Sequence, residues 1–299
     1  MTAPDLNAAA AVIDLASGVV ASATRQLAAG SIDDHQVLAY DLAHAASAVE
    51  TARGLLDYGN KGDIEGRITC AFVADAVHDL ASKTFGREAD WGIEPGALDE
   101  ARSFLAAFRA ADFLASIDDP GPRHLADDFE LVQDTFRRFA DQKLKPIAEH
   151  IHRDNGDIPE DVITGLAEMG AFGLSIPAEY GGYGEGGEGE LIGMVVATEE
   201  LSRGSLGAGG SLITRPEILA RALLAGGTEE QKHEWLPRLA TAEVMNAVAV
   251  TEPDFGSDVA GVKVSATPTG SGSGPDSGWL ITGVKTWCTF GARADVLLL

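Results

Sequence analysis

Basic side chains are scarce in this sequence. Only 22 Lys and Arg stand against 46 Asp and Glu, for a formal net charge of −24. So acidic a chain repels phosphate, and no Lys/Arg cluster offsets the field, which argues against nucleic acid as a partner. Any anionic ligand needs a local pocket working against that field. Cysteine is nearly absent. Cys70 and Cys288 allow one disulfide at most and offer no zinc spacing, so a reducing cytoplasm is the simplest expectation. The N-terminus, Met1-Thr2-Ala3-Pro4-Asp5, carries no basic stretch and does not read as a secretion signal. No uninterrupted apolar run reaches the roughly 18 residues of a spanning helix, so no membrane partner is expected.

What remains is a chain of 299 residues, 45% hydrophobic and 23% charged, which suits a soluble globular protein with a sizeable core and room for two domains. Residues 3 to about 115 read as helices separated by short breakers. Asp34 is placed to cap a helix over about 35–58, ended by Gly59-Asn60. Ile64, Ile68, Phe72, Val77 and Leu80 recur every three to five residues and give the next helix one apolar stripe, which Gly86 stops. A fourth helix is predicted over about 97–115. The cluster Asp118-Asp119-Pro120-Gly121-Pro122 then marks the clearest boundary in the chain.

Beyond it, Phe129, Val132, Phe136, Phe139, Leu144, Ile147 and Ile151 stripe a long helix that Pro146 should kink or interrupt. Helices are predicted from Ile158-Pro159-Glu160 to Gly170, and over about 190–203, 211–225 and 229–239, the last with Thr228 as N-cap. From Val244 the period changes. Residues 244–251, 262–268 and 279–289 read as strands, 269–277 as a hairpin loop, and 294–299 as a strand with no closing partner. The expected fold is therefore mainly α with a β-domain. Its parts are a helical extension over 1–120, a helical domain over 121–243 and an incomplete β-domain over 244–299.

Two stretches carry chemistry. Ala249-Val250-Thr251-Glu252-Pro253-Asp254-Phe255-Gly256-Ser257-Asp258 joins a β-branched run to a turn able to offer several N–H groups and a hydroxyl to one anion. Lys285-Thr286-Trp287-Cys288-Thr289-Phe290-Gly291 follows as a polar-aromatic cluster. The glycine-rich loop over 181–189 contains G-x-G-x-x-G twice. It follows a helix and carries Glu185 and Glu188, with Glu190 just beyond, so it reads as a connector rather than a dinucleotide fingerprint. His150, His152 and His233 have no partner at metal spacing, and no metal is expected.

The paired stretches resemble the acyl-CoA dehydrogenase family. Pro177-Ala178-Glu179-Tyr180-Gly181-Gly182, Glu199-Glu200-Leu201-Ser202-Arg203 and Gly227-Thr228-Glu229-Glu230-Gln231-Lys232 extend the likeness over about 125–299. The resemblance implies a helical N-terminal domain, a middle β-domain and FAD as cofactor. It places Val248, Val250, Thr251, Gly256 and Ser257 along the FAD, with Gly256 and Ser257 at the pyrophosphate and Ser257 also at the CoA ester. Trp287 would cover one flavin face with Thr289 near its reactive nitrogen, while Cys288, in strand period, faces away. The implied reaction is α,β-dehydrogenation of an acyl-CoA by a glutamate base expected beyond Leu299, so no catalytic residue is named.

An electron-transferring flavoprotein as acceptor and a homodimer or homotetramer are implied as well. Among substrates the extension favours 2-methylsuccinyl-CoA, giving mesaconyl-CoA in the ethylmalonyl-CoA pathway. Arg215 would meet its distal carboxylate, unless that arginine is a surface residue paired with Glu217. Another short or branched acyl-CoA is the alternative, and a non-catalytic helical scaffold is the reading from a different class.

Overall fold

The computed structural model describes residues 2–269 and 278–299, so most of the expected hairpin loop, residues 270–277, lies outside them. The chain divides into two compact units, Met1–His124 and Leu125–Leu299.

In the first unit, α1 (Leu6–Ala28), α2 (Gln36–Gly59) and α3 (Asp63–Thr84) pack on one another. Asp5 caps α1 by accepting from the Ala8 N–H at 2.9 Å. By length and composition α1 is apolar enough to cross a membrane, but here Val12, Ile13, Ala16 and Val19 bury one stripe against Leu42, Ala45 and Val49 of α2 and Val73 and Val77 of α3. Asp34 does not cap α2. It lies within a 3-10 turn, Asp33–His35, and α2 starts at Gln36 with His35 at the N-cap position and no side-chain cap. The helix expected over 97–115 is broken into a 3-10 turn, α4 (Arg102–Phe108) and α5 (Ala111–Leu114), because Phe104, Phe108 and Phe113 all turn into the core with Trp91. Glu65 is buried here and hydrogen-bonded to His124 at 2.6 Å.

The second unit begins with α6 (Asp127–Phe139), whose first turn is acidic as the helix dipole favours. Its ladder widens into a π-turn, Ala140–Leu144, and resumes as α7 (Lys145–Arg153) with Pro146 in the first turn, where a missing N–H is harmless. The expected interruption is thus a π-turn. After α8 (Glu160–Glu168), α9 (Gly187–Ser205) runs through a second π-turn, Leu206–Gly210, into α10 (Ser211–Gly226). The two π-turns touch, and Gly204 sits so near Ala140 that an added Cβ would lie 3.0 Å from the Ala140 Cβ. Thr228 and Gln231 form a full capping box at the start of α11 (Glu229–Ala240).

Four short strands follow among the described residues. β1 (Asn246–Val248) pairs in parallel with β4 (Val296–Leu298), while β2 (Ser265–Thr269) pairs antiparallel with β3 (Gly278–Thr282). Two expectations are corrected. The terminal strand has a partner, β1. The strand expected over 279–289 ends at Thr282, since Gly283, Trp287 and Phe290 all adopt positive φ and the segment between is tied down by side chains instead of a ladder.

Candidate functional site

β1 carries the chain out of the core on Ala247 and Ala249, both buried, and Val250 is already exposed. The turn that follows closes on itself, with the Glu252 N–H donating to the Phe255 carbonyl at 3.0 Å and the Phe255 N–H returning to Glu252 at 3.2 Å. Asp258 accepts from the Gly261 N–H at 3.1 Å and starts a 3-10 turn, Val259–Gly261. Among the described residues, the N–H groups of Gly256 and Ser257 donate to no protein acceptor, and open space surrounds Gly256. That is a fair cradle for a phosphate oxygen.

Glu252 is the hub. Its buried carboxylate accepts from the Lys263 N–H at 2.7 Å, the Val264 N–H at 2.8 Å and the Lys285 ammonium at 3.0 Å. Burial alone would raise its pKa, but those two N–H groups and the Lys285 charge hold it down at about 2. Lys285 also donates to the Val250 carbonyl at 2.7 Å, and the Thr286 N–H donates to the Thr251 carbonyl at 2.8 Å. The two sequence stretches are therefore fastened side by side. A shallow hollow of 170 Å³ lies between Glu252, Phe255, Val264 and Val284.

Trp287 stands out from this seam. Its backbone is left-handed, φ 57°, and the residue is 89% exposed. Thr251 is half-buried, Thr289, Gly256 and Ser257 are exposed, and the hydroxyl of Thr286 is buried with no partner among the described residues. An exposed aromatic plate and N–H groups with no protein acceptor among the described residues suit a planar cofactor bearing phosphates. Burial alternates from exposed Trp287 to half-buried Cys288 to exposed Thr289, as expected, although no strand forms there.

Arg215 lies on the second turn of α10, which packs against β1, and Asn246 Nδ2 donates to its carbonyl at 3.2 Å. It does not pair with Glu217, which binds Arg221 at 3.0 Å. Its guanidinium is buried and bonds to the Ser211 carbonyl and to Ser211 Oγ, the latter at 2.8 Å, with no carboxylate partner among the described residues. Burial draws its pKa down, partly offset by Cys288. A buried cation without an anion is costly, so the position suits one that a ligand supplies.

Lys285 stands in the second sequence stretch but was given no role there, and Arg293 was not singled out. The latter donates to the Ile158 carbonyl at 2.6 Å, pairs with Glu160 and stacks 5.1 Å above the Phe290 ring. Both are basic residues at the ends of one short segment in a strongly acidic chain, which was the available signal. The glycine loop over 181–189 forms part of the bend into α9, with the Glu190 carboxylate turned back onto the Gly186 N–H at 2.8 Å. A cleft of 590 Å³ in the first unit includes none of the candidate residues.

Residues 126–243 match the family described as Acyl-CoA dehydrogenase, N-terminal domain. The (2S)-methylsuccinyl-CoA dehydrogenase of Cereibacter sphaeroides is 35% identical over 293 residues, covering 90% of this chain and 52% of that protein. A glutaryl-CoA dehydrogenase of Desulfococcus multivorans is 35% identical over 175 residues, 58% of this chain and 43% of that protein. Among solved structures, a glutaryl-CoA dehydrogenase of Mycobacterium smegmatis in complex with FADH2 superposes with a TM-score of 0.50 at 31% identity, over 58% of this chain and 42% of that one. The chain spans about half the length of the curated relatives it matches.

Proposed function

The chain belongs to the acyl-CoA dehydrogenase family, and from that premise we propose that the protein binds FAD and oxidises an acyl-CoA at its α,β-carbons. The observation that carries the proposal is the seam itself. Residues 250–252 are bonded to 285–286, leaving N–H groups at Gly256 and Ser257 with no protein acceptor among the described residues and an exposed indole at Trp287. When bound, FAD supplies the acceptor for the β-hydride.

The protein's part is to hold the reactants. Gly256 and Ser257 receive the pyrophosphate, and Ser257 also meets the CoA ester. Val248, Val250, Thr251 and Thr289 line the ring, and Trp287 walls one face and keeps water from it. The α-proton goes to a glutamate that we place outside residues 1–299. Electrons pass on to an electron-transferring flavoprotein, and the assembly is a homodimer or homotetramer.

As substrate we propose 2-methylsuccinyl-CoA. Two observations support it over another short or branched acyl-CoA. The likeness to the methylsuccinyl-CoA enzyme includes the first unit, and Arg215 is a buried cation lacking an anion among the described residues. The test uses the intact protein, whose visible flavin absorbance should bleach on adding methylsuccinyl-CoA. Arg215→Ala should lower kcat/KM for that substrate roughly 30-fold, a loss of about 2 kcal/mol for one charge-assisted contact, and spare butyryl-CoA. Equal losses on both substrates would remove Arg215 from the acyl site. A protein that binds no flavin favours the scaffold reading.

A further inference from the structure

Resting on the flavin reading above, we infer that Lys285, clamped by Glu252, is the positioning residue that holds Trp287 in its outward pose. By alternation, the run over 279–289 should have continued as strand, with Trp287 on a pleat face. It leaves the strand after Thr282 and reaches Trp287 in a left-handed conformation. For a non-glycine residue that conformation costs about 1–2 kcal/mol and persists only where surrounding bonds impose it.

The bonds that impose it flank the indole on both sides. Immediately before Trp287, Lys285 is fixed to the Val250 carbonyl and the Glu252 carboxylate, and Thr286 to the Thr251 carbonyl. Immediately after it, Phe290 is again left-handed, and Arg293 ties the segment's end to Ile158 and Glu160. Between these anchors Lys285, Thr286 and Cys288 are at least half-buried while Trp287 is not. An indole in water contributes nothing to packing, so these bonds serve what the ring meets. The same carboxylate holds Lys263 and Val264, which fixes the far side of the turn bearing Gly256 and Ser257. One buried group thus sets both the phosphate-facing turn and the aromatic wall.

The test titrates FAD into the intact protein and its variants, reading the dissociation constant and the quenching of flavin fluorescence by the indole. Trp287→Leu should weaken FAD about tenfold, the scale of one aromatic stack, and relieve quenching. Lys285→Met should reproduce both effects, and the double variant should be no worse than either single one. Lys285→Arg should restore most of the affinity and quenching, since it keeps the charge. If Lys285→Met does not fold, Glu252→Gln, which keeps the side chain's shape, is expected to give the same paired loss. Unchanged affinity and quenching in Lys285→Met, or losses that multiply in the double variant, overturn the inference while leaving the flavin reading intact. A wild-type protein that binds no FAD overturns both.

Discussion

Glu200 has no exposed surface, yet it is an acid. It accepts two bonds from Arg137, at 2.7 and 3.2 Å, and one from Arg203 at 2.8 Å, joining α6 to α9. Glu200→Ala removes the shared anion. Three charge-assisted bonds at about 1.5–3 kcal/mol each would suggest a loss beyond 4 kcal/mol. Two features reduce it. The Arg137 and Arg203 side chains are 44% and 36% exposed and can recruit water, and Arg203 keeps Asp141 at 2.9 Å. The expected cost is about 3 kcal/mol, at the low edge of values for breaking a buried pair. For a unit of this size that is a fall in Tm of roughly 6–12 °C, readable by calorimetry or circular dichroism. Glu200→Gln should lose less, because it retains shape and one acceptor. The pH dependence carries a sign. Burial works to raise the Glu200 pKa, but the Arg137 and Arg203 bonds outweigh it and hold the carboxyl below its ordinary value. Its stabilisation is complete above the unfolded pKa and is lost as pH falls through the lower, folded one, so Glu200→Gln flattens the acid limb. A loss in Glu200→Ala below about 1 kcal/mol would refute the view that this network braces the two helices.

Other outcomes are equally direct. Gly182→Ala would place a Cβ 2.0 Å from the Ile176 carbonyl oxygen, a backbone clash expected to cost about 2–3 kcal/mol in thermal unfolding. Glu252, held at about 2, should keep stabilising the seam until pH falls below the ordinary carboxylate range and fail only as it approaches that value; acid titration of near-ultraviolet dichroism in wild type and Glu252→Gln compares the two. Cys70 is buried with its thiol pKa pushed up by that burial, whereas Cys288 is half-buried, so a thiol reagent should label Cys288 natively and Cys70 only after unfolding.

The helices were legible because their signals are local. The cap Thr228, the buried stripe members Val77 and Leu80 and the interruption near Pro146 all lie within a few residues of what they control, although Ile64, Ile68 and Phe72 of the expected stripe are only partly buried. The strands were less so. Period 2 over 279–289 gives no hint that Lys285 would reach back to Val250 and Glu252, 35 and 33 residues away, and bend the chain off its pleat. Arg215 was legible as a residue to watch, but its burial and its lack of Glu217 depended on how α10 packs against β1. Likewise, Asp34 looked like a cap only because a 3-10 turn leaves no mark in sequence.

The parallel pairing of β1 with β4 also has a kinetic side. Every candidate flavin residue from Val250 to Thr289 lies on the one excursion between those strands, closed by three residue pairs from Asn246–Val296 to Val248–Leu298. Closing so long a loop costs chain entropy before any contact repays it, and parallel pairing is slow for that reason. The bonds joining α6 to α9 span a similar separation, 63 residues between Arg137 and Glu200, so both closures belong to the slow part of folding. A cofactor that bridged both sides of the excursion would shorten the loop, so added FAD should speed the final phase of refolding.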